Sequence, residues 1–414
     1  MSSHLKTRVR REREWVVFNG GWAVVNFKQW LSFCAIVAAT VTGADAAVAK
    51  TADWCKQIAD GAFCAEIATT PPDFCGTKEV SVALADGVSS PWRAQTAASA
   101  INEASRCPNV KSWVRTDGQG NTQKSISDLQ GLTATGVNAI VIFADGGPTL
   151  LPAIRDAFKQ GVSIVPYRAE VGGKEGVDYT AFVGTDFRKQ GAEWGAWMGK
   201  ALSGKGSVGY LGGTPGNSEG VEKSEGIKEG LKDYPDVKWI GQDPFEVTNW
   251  DPSMVAQVVT GLIARYPKID GLFSDLSFAV VSSNAFPRAN RPLPFLAGQD
   301  SNAFSCEWLK EKRQNGKPSF QFMSLSSEHW NVRLAIEYAI ASAAGGKVDQ
   351  PLTVRDAKGI EHVVAKAGDK RVTNFKVDDS TTGDVFCDPD LPDSASSANS
   401  LTKEQTLRAL KGGF

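Results

Sequence analysis

The sequence predicts an α/β protein built from two doubly wound lobes, and three observations carry that expectation. From Glu79 onward, short apolar runs alternate with helical stretches, the rhythm of parallel strands joined by crossover helices. The number of these units exceeds what one sheet usually holds. At 414 residues the chain also exceeds one ordinary core and suits two domains with additions.

Each element has a local reason. Val80 to Ala85 is an apolar run of buried-strand length, and Trp92 to Ser105 follows it as a helix. Thr122 to Thr135 reads as a helix stopped by Gly136, with Ala139 to Phe143 as the next strand. Leu150 to Lys159 is a helix ending at Gly161, before strand Val162 to Pro166. The pattern repeats with strand Ser207 to Leu211, helix Ser218 to Lys232, strand Val237 to Gly241 and helix Pro252 to Arg265. Gly271 to Ser274 and Pro294 to Ala297 are further short strands. The change of lobe is expected near Phe182 to Asp186, with return crossings near Gln321 to Ser326 and Pro351 to Arg355. The chain then divides into a leader (1–49), a cysteine-containing preface (50–78), a first lobe (79–183 with 327–352), a second lobe (184–326 with 353–390) and a tail (391–414). The tail is rich in Ser, Asp and Ala, and its stretch from Thr402 to Lys411 is expected as a short surface helix.

The leader has the anatomy of a secretory signal peptide. Arg8, Arg10, Arg11, Arg13 and Lys28 precede the apolar run from Trp30 to Val41, and Ala44-Asp45-Ala46 and Ala47-Val48-Ala49 read as cleavage sites. The run is shorter than the roughly 20 residues a membrane-spanning helix needs, so release into the periplasm is expected. The pair Arg10-Arg11 lacks the apolar residues a twin-arginine signal would place after it. Cys34 lies inside the leader, which leaves Cys55, Cys64, Cys75, Cys107, Cys306 and Cys387. An even number in an oxidising compartment suggests up to three disulfides, with connectivity open among about 15 pairings. The spacing fits no zinc site, and neither a metal nor a cofactor is expected.

The formal net charge of -1 supplies no basic field for nucleic acid, and no helix-turn-helix segment precedes the globular part. In open α/β sheets, ligands sit outside the carboxyl ends of the strands, so the residues there are the site candidates. Asp86, Ser90, Trp92 and Arg93 follow the first strand, Tyr167-Arg168 follow Pro166, and Trp250-Asp251 precede a helix. Asp275 follows Ser274, and Gly298-Gln299-Asp300 follow Ala297. Carboxylates, guanidinium forks and flat indoles together suit a polyhydroxyl ligand, whose C–H faces pack on rings while its hydroxyls donate and accept.

These segments, Val82 through Arg93, Val162 to Arg168, Trp250-Asp251 and Ala297 to Asp300, resemble the ribose-binding-like (type I) periplasmic binding proteins of ABC transporters over about Glu79 to Asp378. The resemblance implies a type I periplasmic binding protein fold, with lobes joined by three crossovers and closing on one small sugar or polyol. Permease subunits are the implied partners, and a monomer is expected. Carried over by position, Trp92 and Trp250 would sandwich the sugar, while Arg168, Asp300, Asp86 and Ser90 would bond it. Tyr167, Arg93 and Ser274 to Ser277 depart from the family pattern, which argues against ribose itself.

Blander readings stand beside these. Asp300 also suits the N-cap of a helix from Ala303 onward. Gly212 to Asn217 lacks the Gly-Lys-Ser/Thr ending of a phosphate loop and reads as a turn. Trp194, Trp197 and Trp330 lie on helical patterns and are expected in the core. Replacing Trp250 or Arg168 by Ala is expected to cost affinity and leave the fold intact. Nothing selects the carboxylate pair of a glycosidase, so no enzyme is expected. The other open alternative is a ligand-loaded sensory protein that docks a chemoreceptor or sensor kinase.

Overall fold

The computed structural model describes residues 50–412. The expected signal peptide, its cleavage sites and Cys34 lie outside the described residues.

The preface is stapled onto the first lobe. Helix α1 (Asp53–Lys56) carries the Cys55–Cys64 disulfide, and Cys75–Cys107 ties the preface to the segment after the first long helix. Trp54 stacks on Trp113 with ring centroids 6.1 Å apart, so the preface covers an edge strand with aromatic surface.

The first lobe runs β1 (Val80–Asp86), α2 (Pro91–Ser105), β2 (Val110–Asp117), α3 (Thr122–Ala134), β3 (Ala139–Phe143), α4 (Leu151–Lys159) and β4 (Ser163–Tyr167). Its strands are parallel, in the order β2-β1-β3-β4. Both faces are covered. Val82, Leu84 and Val141 pack in one apolar layer, and Ala83, Ile140 and Ile142 in another. Burial on both faces is why β1 and β3 read as unbroken apolar runs. Strand β2 went unexpected because Lys111 and Arg115 interrupt it, which its edge position permits.

The chain then crosses at β5 (Gly184–Thr185) into the second lobe. There follow α5 (Phe187–Ala201), β6 (Lys205–Gly212), α6 (Ser218–Gly230), β7 (Asp236–Trp239), β8 (Glu246–Val247) and α7 (Pro252–Arg265). Next come β9 (Gly271–Ser274), α8 (Ser277–Ser282), α9 (Ala285–Arg288), β10 (Phe295–Gln299), α10 (Asn302–Asn315) and β11 (Phe322–Leu325). Helix α11 (Asn331–Ala344) returns to the first lobe, where Val332, Ala335, Ile336 and Ile340 join its core. The last elements are β12 (Leu352–Arg355), β13 (Glu361–Ala365), β14 (Arg371–Val372), β15 (Lys376–Asp379) and α12 (Lys403–Leu410). The second sheet has the order β15-β11-β10-β9-β6-β7, with β8 beside β6 and only β15 antiparallel to its neighbour.

Two boundaries differ from the sequence expectation. Residues 353–372 do not join the second lobe. Val354, Val364, Ala365 and Val372 are buried in the first lobe's core, and the chain crosses only at 373–376, before β15. Phe375 at that crossing stacks on Trp330, centroids 6.4 Å apart. The segment 391–412 is no free tail. Ala395, Ala398, Leu401 and Ala409 are buried, and α12 lays Ala409 against Ala98 and Ile101 of α2.

Helices α5 and α6 approach closely because glycines face backbone. A Cβ on Gly191 would stand 2.2 Å from the Lys223 carbonyl oxygen, and one on Gly226 2.0 Å from that of Arg188. That contact fixes the height of α6, whose first turn carries part of the site described below. Trp194 and Trp330 are fully buried, as expected, while Trp197 is half-buried and donates to Asp379.

All six cysteines from Cys55 on are paired, the third pair being Cys306–Cys387 across 81 residues. A cross-link over so long a loop restricts the unfolded chain strongly. Replacing both Cys306 and Cys387 by Ser is expected to cost roughly 2–5 kcal/mol in denaturant unfolding. An unchanged midpoint would show that the bridge contributes nothing.

Candidate ligand-binding site

A small cavity lies between the carboxyl ends of the two sheets, lined by Val88, Ser90, Trp92, Arg93, Phe143, Arg168, Glu219, Trp250, Asp275, Leu276 and Gln299. The first-lobe wall is built on the loop after β1. Ser90 caps α2 by accepting from the Arg93 amide at 3.2 Å, and Pro91 at the first helical position pre-sets the turn. The cap aims the next two side chains. Trp92 donates its Nε1–H to the Ser327 carbonyl at 2.8 Å, which fixes the plane of its indole. The Arg93 guanidinium lies 3.3 Å from the centroid of Phe143 and bonds Asp86 and Asp145. Stacking and two carboxylates together hold the fork in one orientation.

Arg168 stands at the end of β4 with a left-handed backbone, φ 61°. Its guanidinium reaches Glu219 of the second lobe at 2.6 Å and Glu328 at 2.8 Å. Glu219 sits in the first turn of α6, where the helix dipole favours a carboxylate. It also accepts from Lys223, which in turn bonds Asp275 at 2.8 Å; Tyr210 donates its hydroxyl to the same Asp275. With its amide oxygen toward the cations, Gln299 accepts from Arg168 at 3.2 Å and from Lys223 at 3.1 Å. The chain from Arg168 to Tyr210 therefore crosses from one lobe to the other through paired charges.

Trp250 enters from the second lobe. It precedes α7, whose cap Asp251 accepts from the amides of Ser253 and Met254. Its indole lies on Gly213, where a Cβ would come within 2.1 Å of the ring. The Gly212 to Asn217 stretch is thus a turn, as read from the sequence, and its second glycine makes room for the indole. Across the cavity Trp250 meets Phe143 edge-on, centroids 6.4 Å apart, and Phe143 also meets Trp92 at 6.0 Å. Arg168, Trp250 and Glu328 all have positive φ. Non-glycine residues held in that region cost about 1–3 kcal/mol each and cluster at sites that need fixed geometry.

Burial and charge pull the carboxylates apart in acidity. Burial raises Glu219, but Arg168 and Lys223 outweigh it and hold the group down at about 2. Burial pushes Glu328 up to about 7 against the pull of Arg168 and Lys223, and Asp145 up to about 6 against Arg93. His329 beside Glu328 is lowered to about 4 by burial. For Glu328 the folded value lies above the unfolded value of about 4.5, so the folded state binds the extra proton between the two. Its contribution to stability therefore falls as pH rises from about 4.5 through about 7. His329 acts oppositely over the same window, so only a difference measurement isolates the effect. The stability of wild type minus Glu328→Gln is expected to fall across that window. A flat difference would mean that Glu328 stays ionised throughout.

Six of the eight sequence candidates line this cavity: Ser90, Trp92, Arg93, Arg168, Trp250 and Asp275. Asp86 lies behind it, holding Arg93 and Arg115. Asp300 is turned away altogether. Its carboxylate accepts from Ser327, Ser396, Ser397 and Ala398, and it caps no helix, since Ser301 holds the N-cap position of α10. Arg168 is buried, its guanidinium paired with the carboxylates of Glu219 and Glu328. Phe143 and Glu219 are not among the sequence candidates, and Gln299 enters there only within the strand end Gly298-Gln299-Asp300. Phe143 ends a strand, so the strand-end rule would have found it; Glu219 had no signal beyond its place after Asn217 and Ser218.

A model described as a periplasmic binding protein domain matches residues 81–347. The chain belongs to the periplasmic binding protein family. Members of this family bind ligands without transforming them. Over 235 residues the chain is 26% identical to the xylitol-binding protein of Mycolicibacterium smegmatis, covering 56% of this chain and 62% of that relative. The chain thus matches less than two thirds of that relative's length. Among solved structures, an ABC transporter solute binding protein from Burkholderia graminis in complex with D-arabinose superposes with a TM-score of 0.57 at 20% identity, over 75% of this chain and 99% of the other. The fructose binding periplasmic domain of a hybrid two component system superposes with a TM-score of 0.53 at 19% identity, over 63% and 84%. These likenesses show the two-lobed α/β fold of type I periplasmic binding proteins.

Proposed function

We propose that this binding protein captures a small sugar or polyol between its lobes in the periplasm and presents the closed form to the permease subunits of an ABC importer. One observation carries the ligand class: every cationic head in the cavity wall already has carboxylate partners, while three aromatic rings supply the walls. Arg93 has Asp86 and Asp145, Arg168 has Glu219 and Glu328, and Lys223, directly behind, has Glu219 and Asp275. A neutral molecule with many hydroxyls takes the remaining lone pairs and N–H groups without adding an unpaired charge. Trp92, Phe143 and Trp250 give its C–H faces apolar contact. The names of the relatives, which speak of xylitol and D-arabinose, support the same class.

A thermal-shift screen of monosaccharides, polyols and amino acids tests this. Stabilisation by one or more neutral carbohydrates, and by no amino acid, is the expected result. The converse would overturn the ligand class.

The likeness to a sensor's periplasmic domain favours a second reading, in which the loaded protein docks a receptor or kinase. Co-purification with a permease, or with a sensor, separates the two.

A further inference from the structure

Asp300 points to a role for the C-terminal segment. Its buried carboxylate takes donors from Ser396, Ser397 and Ala398 at 2.6, 2.7 and 3.0 Å, at the end of a second-lobe strand. The amides of Asn302 and Ala303, the first of α10, donate to the carbonyls of Ala395 and Asp393. Helix α10 has no side-chain cap, so the segment itself satisfies its exposed donors. The Cys306–Cys387 bridge fixes the start of the segment to the same helix.

The same few residues also hold the first lobe. Gln95 of α2 donates to the Ser394 carbonyl and accepts from the Ser396 amide. Ser397 accepts from the Ala357 amide, and Asn399 pairs with His329 at 2.9 Å, at the head of α11. Farther on, Leu401 and Ala409 are buried in the small apolar cluster of Ala98, Ile101 and Phe63. Gln405 donates to the Ala62 carbonyl inside the Cys55–Cys64 loop.

We propose that residues 387–409 form a strap that ties the two lobes together beside the second crossover and holds the ligand-free protein close to its closed arrangement. Hinge opening must move Asp300 relative to Gln95, yet both are bonded to Ser396. Opening therefore breaks one set of buried hydrogen bonds, and the strap biases the equilibrium toward closure. The strap presupposes hinged lobes, but its test uses no ligand, so it can fail while the carbohydrate reading stands, and the reverse.

The test is a distance between lobes in the full chain without ligand. Nitroxide labels carried by a keto amino acid at positions Lys111 and Lys238, on the outer strands of the two sheets, leave the disulfides untouched. Wild type is compared with Gln95→Ala and with a slack variant that adds a flexible Gly/Ser insertion between Asn399 and Ser400 to Gln95→Ala. Wild type is expected to give one narrow distribution at the separation seen in the structure. The slack variant should give a longer, broader one, with Gln95→Ala between them. A folded slack variant with the wild-type distribution would overturn the strap. So would a wild type that is already broad and extended. If the slack variant does not fold, Gln95→Ala alone decides, and an unchanged distribution there contradicts the proposal.

Discussion

Arg168→Ala is expected to destabilise the protein by roughly 3–5 kcal/mol, besides losing ligand affinity, where the sequence alone suggests an unaffected fold. The reason is what remains after truncation. Glu219 and Glu328 are both buried, and each would lose a guanidinium partner. Gln190 would still donate to Glu328, and Lys223 to Glu219, which limits the loss but leaves the first-lobe side of the network without a cation. Lysine cannot restore both contacts, because one ammonium lacks the fork that reaches two carboxylates on different elements. Denaturant unfolding of Arg168→Ala and Arg168→Lys checks this. Two variants as stable as wild type would show that the network contributes little to the fold.

Trp250→Ala is expected to cost about 2–4 kcal/mol of ligand affinity while leaving stability nearly unchanged. That corresponds to a loss of about 30- to 1,000-fold in Kd. The indole is half-buried, rests on Gly213 and touches Phe143 by its edge, so it forms a cavity wall more than a core. Calorimetry with the best carbohydrate from the screen, beside a melting curve, separates the two effects. Affinity within a few-fold of wild type would place the ligand away from this ring. The contrast with Arg168 is physical: one residue stands at a wall open to ligand, the other at the centre of a paired charge network.

Much of this was legible in the chain itself. The parallel strands appear as apolar runs because both faces of each sheet are covered, as at Val82 to Ala85 and Ala139 to Phe143. Site residues at strand ends were legible for the same topological reason, as Trp92, Arg168 and Asp275 illustrate. What stayed hidden depends on partners distant in sequence. Asp300 has the position of a ligand contact, and only the packing of Ser396 to Ala398, 96 to 98 residues later, turns it into an anchor. Polar composition made 391–414 read as a free tail, although its few alanines and Leu401 are enough to dock it. The burial of Arg168 stayed hidden too, because a lone arginine gives no sign of two carboxylates waiting in other elements.

The most direct test of the central claim is calorimetric titration of a neutral sugar or polyol from the screen against its carboxylate analogue, in which one terminal carbon is oxidised. Shape and hydroxyl pattern stay nearly constant between the two, so the comparison reads the charge balance of the cavity. A wall whose cations are already paired predicts binding of the neutral molecule near the micromolar range, about 8 kcal/mol, and at least about 100-fold weaker binding of the anion, since an unpaired buried charge costs several kcal/mol. Equal or tighter binding of the carboxylate would contradict it, because Arg93 or Arg168 would then have to be free to receive an anion.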